Sequence, residues 1–163
     1  MKRIYVVRHA KSSWSNMSLA DIDRPLNKRG ERNAPEMAIK CKERGYIPEQ
    51  MITSNANRAK TTAVVFKNEF QVSDENFSKE PDLYHAPEDT YLEVCFGLDE
   101  EINSVMLFGH NPGITYLANS VANTYIDNVP TCGVLVIDAK IDRWEDLSFT
   151  DCTLIDFIYP KMF

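Results

Sequence analysis

The 163-residue chain has three histidines, and each follows a short apolar run. His9 follows Ile4–Val7, His110 follows Val105–Phe108 through Gly109, and His85 ends the stretch Leu83-Tyr84-His85. One histidine at such a place is usually a satisfied polar side chain; three in equivalent places suggest a site. Metal ligation is one chemistry open to histidine. However, no HxH or HxxxH spacing occurs, and Arg8 beside His9 would repel a cation. The arginines point to an anion instead. Arg8 adjoins His9, Arg24 lies in Asp23-Arg24-Pro25-Leu26, and Arg58 opens a predicted helix in Ser54-Asn55-Ala56-Asn57-Arg58-Ala59. Guanidinium forks match phosphate bidentately and stay charged. A helix N-terminus adds backbone donors for the same anion.

The elements that must position these residues alternate. Ile4–Val7, Met51–Thr53 and Val105–Phe108 read as buried strands, and Pro81–Tyr84 as a weak extended piece. Helices are predicted over Leu26–Arg44, Ala56–Phe70, Pro87–Phe96 and Pro112–Ala122. Pro35 should kink or divide the first of them, because proline lacks the N–H and clashes one turn back. Val134–Asp138 and Thr153–Tyr159 read as a closing hairpin. Strand–helix alternation implies an α/β fold, a three-layer α/β/α sandwich with a mostly parallel mixed sheet, formed as one domain over residues 1–163. In such sheets ligands bind at the carboxyl ends of strands, where the histidines and arginines fall.

Composition narrows the function classes. Eighteen basic against 24 acidic side chains give a net charge of −6, which disfavours a general nucleic-acid binder. The charge is uneven: residues 1–60 carry 13 basic and 6 acidic side chains, and the remainder 5 and 18. The basic third is read as half an anion pocket plus one charged helix bearing Lys28, Arg29, Arg32, Lys40, Lys42 and Arg44. Cysteines at 41, 95, 132 and 152 show no CxxC spacing and are expected to be thiols in a cytoplasmic protein. Met1-Lys2-Arg3 runs straight into a strand, with no signal-peptide core. Ile102–Ile126 has no charged residue over 25 positions, yet Gly109-His110-Asn111-Pro112-Gly113 breaks it into a strand, a turn and a helix.

The ordered set Arg8-His9-Ala10, Ser54-x-Ala56-x-Arg58-Ala59-x-x-Thr62 and Gly109-His110-Asn111-Pro112 resembles the histidine phosphatase superfamily, with its phosphoglycerate mutase-like fold. The small size and the wording around Arg8–Trp14 are most similar to its compact SixA-type phosphohistidine phosphatases. The resemblance implies His9 as nucleophile, with Arg8, Arg58 and His110 clamping the phosphoryl group. It implies Arg24, Ser12 and Asn111 as further substrate contacts, and no metal or other cofactor. A neutral nucleophile requires the other nitrogen of His9 to donate to a backbone carbonyl. Departures from the family pattern are Ala10, Lys11 and Ser15, where larger members carry Gly, Glu and Asn. The acidic proton donor those members carry after the third strand has no clear counterpart; His85, Glu88 and Asp89 are the candidates. A missing acid suits a leaving group that needs little protonation, such as the imidazole of phosphohistidine. The expected partner is therefore a phosphorylated substrate, a phosphohistidine protein among them, met by a monomer that binds neither nucleic acid nor membrane. The alternatives are a phosphatase of small phosphomonoesters or sugar phosphates, and a non-catalytic phosphate-binding module.

Overall fold

The computed structural model describes all 163 residues. In chain order the elements are β1 (Lys2–Arg8), α1 (Lys28–Glu43), β2 (Gln50–Thr53), α2 (Asn57–Phe70), β3 (Phe77–Lys79), α3 (Glu88–Glu93), β4 (Ser104–Gly109), α4 (Gly113–Val121), β5 (Val134–Ala139) and β6 (Cys152–Ile158). The six strands form one sheet in the order β3-β2-β4-β1-β5-β6. Neighbours from β3 through β1 run parallel, and β5 runs antiparallel to both β1 and β6.

Alternation along β1 builds two cores. Ile4 and Val6 face one, with Tyr91, Leu117 and Trp144. Tyr5 and Val7 face the other, with Met37, Phe66 and Phe108. Helices α1 and α2 cover the second face, and α3 and α4 the first. This is the three-layer mixed α/β sandwich expected from the sequence. The uncharged stretch after Ile102 is β4 and α4, and no helix is long and apolar enough to cross a membrane. All four cysteines are buried free thiols.

Three local expectations are corrected. Helix α1 runs unbroken through Pro35. The hydrogen bond that Pro35 cannot donate is offset by burial of Ala34, Met37, Ala38 and Cys41 along one helical face. Pro81–Leu83 is a 3-10 turn rather than a strand, initiated by Pro81 and by Glu80, whose side chain accepts from the Asp82 N–H. The edge strand lies earlier, at Phe77–Lys79, where the polar Phe-Ser-Lys sequence gives no apolar signal. The predicted helix from Pro87 to Phe96 is α only to Glu93 and then tightens to a 3-10 turn.

The start of α1 is tied to the loop after β1. Asn27 caps the helix by accepting from the Gly30 N–H, and the Asn27 N–H donates to the Lys11 carbonyl at 2.9 Å. Gly30 lies so close to the Lys11 carbonyl that a Cβ there would overlap it. Gly30→Ala is therefore expected to lower stability by about 1–3 kcal/mol through overpacking against backbone. Urea unfolding monitored by circular dichroism checks this; an unchanged midpoint would show that the loop yields freely.

Candidate active site

The parallel register of β1 and β4 sets Arg8 against Gly109. The His9 N–H continues that ladder, donating to the Gly109 carbonyl at 3.1 Å. His9 and His110, the next residues on the two strands, thereby meet with ring centroids 5.2 Å apart. The Cys132 N–H, just before β5, donates to both the Arg8 and His9 carbonyls and closes the strand end from the other side.

Each imidazole is held by its surroundings. His9 Nδ1 lies 2.7 Å from the Ala10 carbonyl. A carbonyl only accepts, so Nδ1 carries the proton and Nε2 keeps its lone pair, as the sequence reading required. The Ala10 N–H donates to Thr62 Oγ1, which donates one turn back to the Arg58 carbonyl. The loop carrying His9 is thus pinned to α2. His110 Nε2 lies 2.8 Å from Ser54 Oγ, and its Nδ1 is buried without a partner. Burial pushes the His9 pKa down to about 3, against the Ala10 bond, with Arg58, Arg8 and Arg24 adding repulsion. Burial likewise pushes His110 down to about 3, aided by His9 and Arg58. His110 therefore sits neutral.

The three arginines converge differently than their sequence positions indicate. Arg58 and Arg24 are 4% and 7% exposed, and both reach Asp21. Arg58 donates to the Asp21 carbonyl at 2.7 Å and to Asp21 Oδ2 at 3.0 Å. Arg24 donates to Asp21 Oδ1 at 2.9 Å, to the Ser13 carbonyl and to Ser12 Oγ. Its guanidinium stacks 3.3 Å above the exposed Trp14 ring. Tyr84 Oη donates to Asp21 Oδ2 at 2.5 Å, and His85 Nε2 lies 3.6 Å from the same oxygen. The Tyr84 hydroxyl first, then Arg24 and Arg58, hold the Asp21 carboxyl well below the usual carboxylate range, against the opposing pull of burial. Arg8 has no acidic partner. It donates to the Val129 carbonyl at 2.9 Å, its Nε is buried and unpaired, and burial lowers its pKa.

The remaining candidates separate by role. His85 adopts a left-handed backbone (φ 54°) at the rim, 62% exposed in its side chain, with its ring 6.1 Å from that of His110. Glu88 opens α3, accepts from Ser120 on α4 and lines a surface cavity with His85. Asn111 donates to Asn128 Oδ1 and the Val129 carbonyl, and accepts from the Thr115 N–H and hydroxyl. It fastens the loop that holds Arg8, and Ser12 fastens Arg24 in the same way. No group of three His, Cys, Asp or Glu side chains is placed to hold a metal ion. Asp21, Tyr84 and Ser54 were not singled out for roles from sequence. The one signal for Asp21 was its place three residues before Arg24, within reach of an i, i+3 ion pair.

Two outcomes follow from this geometry. Asp21→Asn removes the charge that offsets two buried guanidinium groups. It is expected to cost on the order of 1–3 kcal/mol in urea unfolding, because the carboxylate is partly exposed. His9 and His110 both have pKa values near 3 when folded and 6.5 when unfolded. The unfolded chain therefore binds more protons in that window, and stability is lost as pH falls through it. A His9→Gln/His110→Gln variant should show a shallower decline in unfolding midpoint from about pH 7 to about pH 5. An equal decline would place the acid sensitivity elsewhere.

Comparison with known proteins agrees with this geometry. Residues 4–84 match the family model of the histidine phosphatase superfamily (branch 1). An uncharacterised chloroplastic protein of Arabidopsis thaliana is 28% identical over 89% of this chain and 70% of its own length. An uncharacterised protein of Mycobacterium leprae is 27% identical over 95% of this chain and all of its own. The Agrobacterium tumefaciens protein described as a SixA phosphohistidine phosphatase superposes with a TM-score of 0.81, at 29% identity over 98% of both chains. A protein histidine phosphatase SixA complexed with tungstate shares the fold, with a TM-score of 0.82 and 18% identity over 98% of both chains. With His9, Arg58 and His110 gathered at the ends of β1 and β4 and the start of α2, the chain matches the histidine phosphatase superfamily over residues 4–84 and shares the fold of SixA-type proteins over nearly its whole length.

Proposed function

We propose that the protein is a phosphatase that works through a phosphohistidine intermediate on His9, with protein phosphohistidine as its substrate. The observation that carries this reading is the His9 imidazole, with its Nδ1 proton held on the Ala10 carbonyl side and a free Nε2 lone pair, kept neutral by burial and then by three nearby guanidinium groups. A nucleophile must be unprotonated, and a phosphoryl group needs positive charge around it; this cluster supplies both. Nε2 attacks phosphorus, the P–N or P–O bond to the leaving group breaks, and the phosphoryl group rests on His9. Water then attacks phosphorus, the P–Nε2 bond breaks, and its electron pair returns to the imidazole as phosphate leaves. Arg8, with its unpaired Nε, and Arg58 would hold the equatorial oxygens, and the unpartnered His110 Nδ1 faces the same task. Arg24 would add charge, with Ser12 and Asn111 holding it and the Arg8 loop in place. This is the transition-state role that preorganised cations fill in phosphoryl transfer.

A second reading is favoured by the rim. His85, close to both Asp21 and His110, is placed to give a proton to an alkoxide leaving group, which small phosphomonoesters require. Glu88, bonded to Ser120, is the less favoured donor.

The experiment is a parallel assay on a histidine-phosphorylated phosphotransfer protein and a panel of phosphomonoesters, with no metal added. Turnover of 4-nitrophenyl phosphate, its loss by at least a thousandfold in His9→Ala, and an acid-labile, base-stable phosphoryl group trapped on the protein are expected. Wild-type activity in His9→Ala would remove the nucleophile assignment. A large preference for small esters would replace phosphohistidine with the second reading.

A further inference from the structure

Three surface cavities run in sequence away from Arg8. The first, about 680 Å³, is lined by Arg8, Asn111, Tyr116, Tyr125 and Asn128. It shares the Tyr125–Asn128 wall with a second of about 380 Å³, which reaches Phe157 and Tyr159. That one shares Pro130 and Tyr159 with a third of about 540 Å³, bounded by Arg29, Arg32, Lys161 and Phe163. Together they make one trough with a phosphate-binding arginine at one end and three cations at the other.

Three cations without an ion pair gather at the far cavity, whereas Lys28, Lys79 and Lys140, the other exposed unpaired cations, do not line it. Lys40, Lys42, Arg44, Lys67 and Arg143 each pair with a carboxylate. Arg29, Arg32 and Lys161 are exposed and have no ion pair. Arg29 also sits in the first turn of α1, where the helix dipole favours acids and disfavours cations. Glu31 is the one acid in that turn, and Glu36 is the one acidic side chain lining the cavity. In a chain of net charge −6, this is a local reversal of sign. A small phosphoester would fill only the Arg8 end. Tyr125 and Phe163 are exposed by 80% and 52%, and give the trough aromatic faces suited to a polypeptide.

We propose that this trough docks an acidic polypeptide segment flanking the phosphorylated side chain, with its carboxylates held by Arg29, Arg32 and Lys161. The proposal rests on the phosphatase reading of the His9 site and names the class of substrate surface that site serves. The polypeptide's phosphoryl group anchors at Arg8, and its chain crosses Tyr125 and Pro130. Asp127 lies midway, so the acidic residues belong at the far end rather than next to the phosphorylated residue. All the cations lie on one side of Arg8, so only one flank of the peptide should carry the charge preference.

The test uses fluorescein-labelled phosphopeptides binding to the His9→Ala protein by anisotropy. Three glutamates are placed several residues before the phosphorylated residue, after it, or replaced by glutamine. Phosphotyrosine peptides give the binding arm, and phosphoramidate-treated histidine peptides give the turnover arm on the wild-type protein. Glutamates on one flank should tighten binding about tenfold and lose that gain at high salt. R29Q/R32Q/K161Q should erase the gain while leaving 4-nitrophenyl phosphate turnover within about twofold. Equal affinity for all three peptides, equal gain from both flanks, or a gain that survives the triple substitution would each overturn the docking surface. Acid-dependent binding with no turnover of phosphohistidine peptides would keep the trough and reject phosphohistidine as the substrate.

Discussion

Burial of two neutral imidazoles beside three guanidinium groups is the constraint on which the rest of the structure depends. A protonated His9 would be repelled by Arg58, Arg8 and Arg24. The protein meets this by burying both histidines and by fixing the His9 proton on Nδ1, which donates to the Ala10 carbonyl. The same desolvation makes unpaired cations costly. Asp21 answers that cost for Arg24 and Arg58, while Arg8 is left to a single backbone carbonyl and an unpaired Nε. Charge is thus partly balanced: enough to keep the fold, with a positive remainder at the ends of β1 and β4.

Much of the chemistry lies in short local patterns, which is why it was legible. Arg8-His9 and Gly109-His110 follow apolar runs that can only be central strands, and parallel neighbours bring equivalent ends together. Thr62 stands one turn after Arg58, so the motif spacing already held the α2-to-loop tie, although its purpose emerged only from the bonds. The mostly parallel sheet and the antiparallel β5–β6 edge followed from strand–helix alternation and from the lack of a helix after Ala139.

What stayed hidden depends on distance along the chain. Asp21 joins Tyr84 across 63 positions and Arg58 across 37. No periodicity marks such a meeting. Glu88 and Asp89 drew attention as acids after the third strand, yet the carboxylate at the site comes from the loop before α1. Pro35 misled for another reason: its local penalty is real, but packing along α1 outweighs it. The edge strand β3 was invisible because an edge needs no apolar run, and the prolines and acids after it mark a turn.

Trp14 and Trp144 are the chain's two tryptophans, and the fold gives them opposite settings. Trp144 is fully buried, with its indole N–H donating to the Ile102 carbonyl. Trp14 is 64% exposed and lies flat on the Arg24 guanidinium, within the network that reaches Asp21 and Arg58. Its emission is therefore coupled to whatever Arg24 touches, while that of Trp144 is shielded from quenchers in solvent. The molecule carries its own optical probe, with the signal at the anion site and the internal reference in the opposite core.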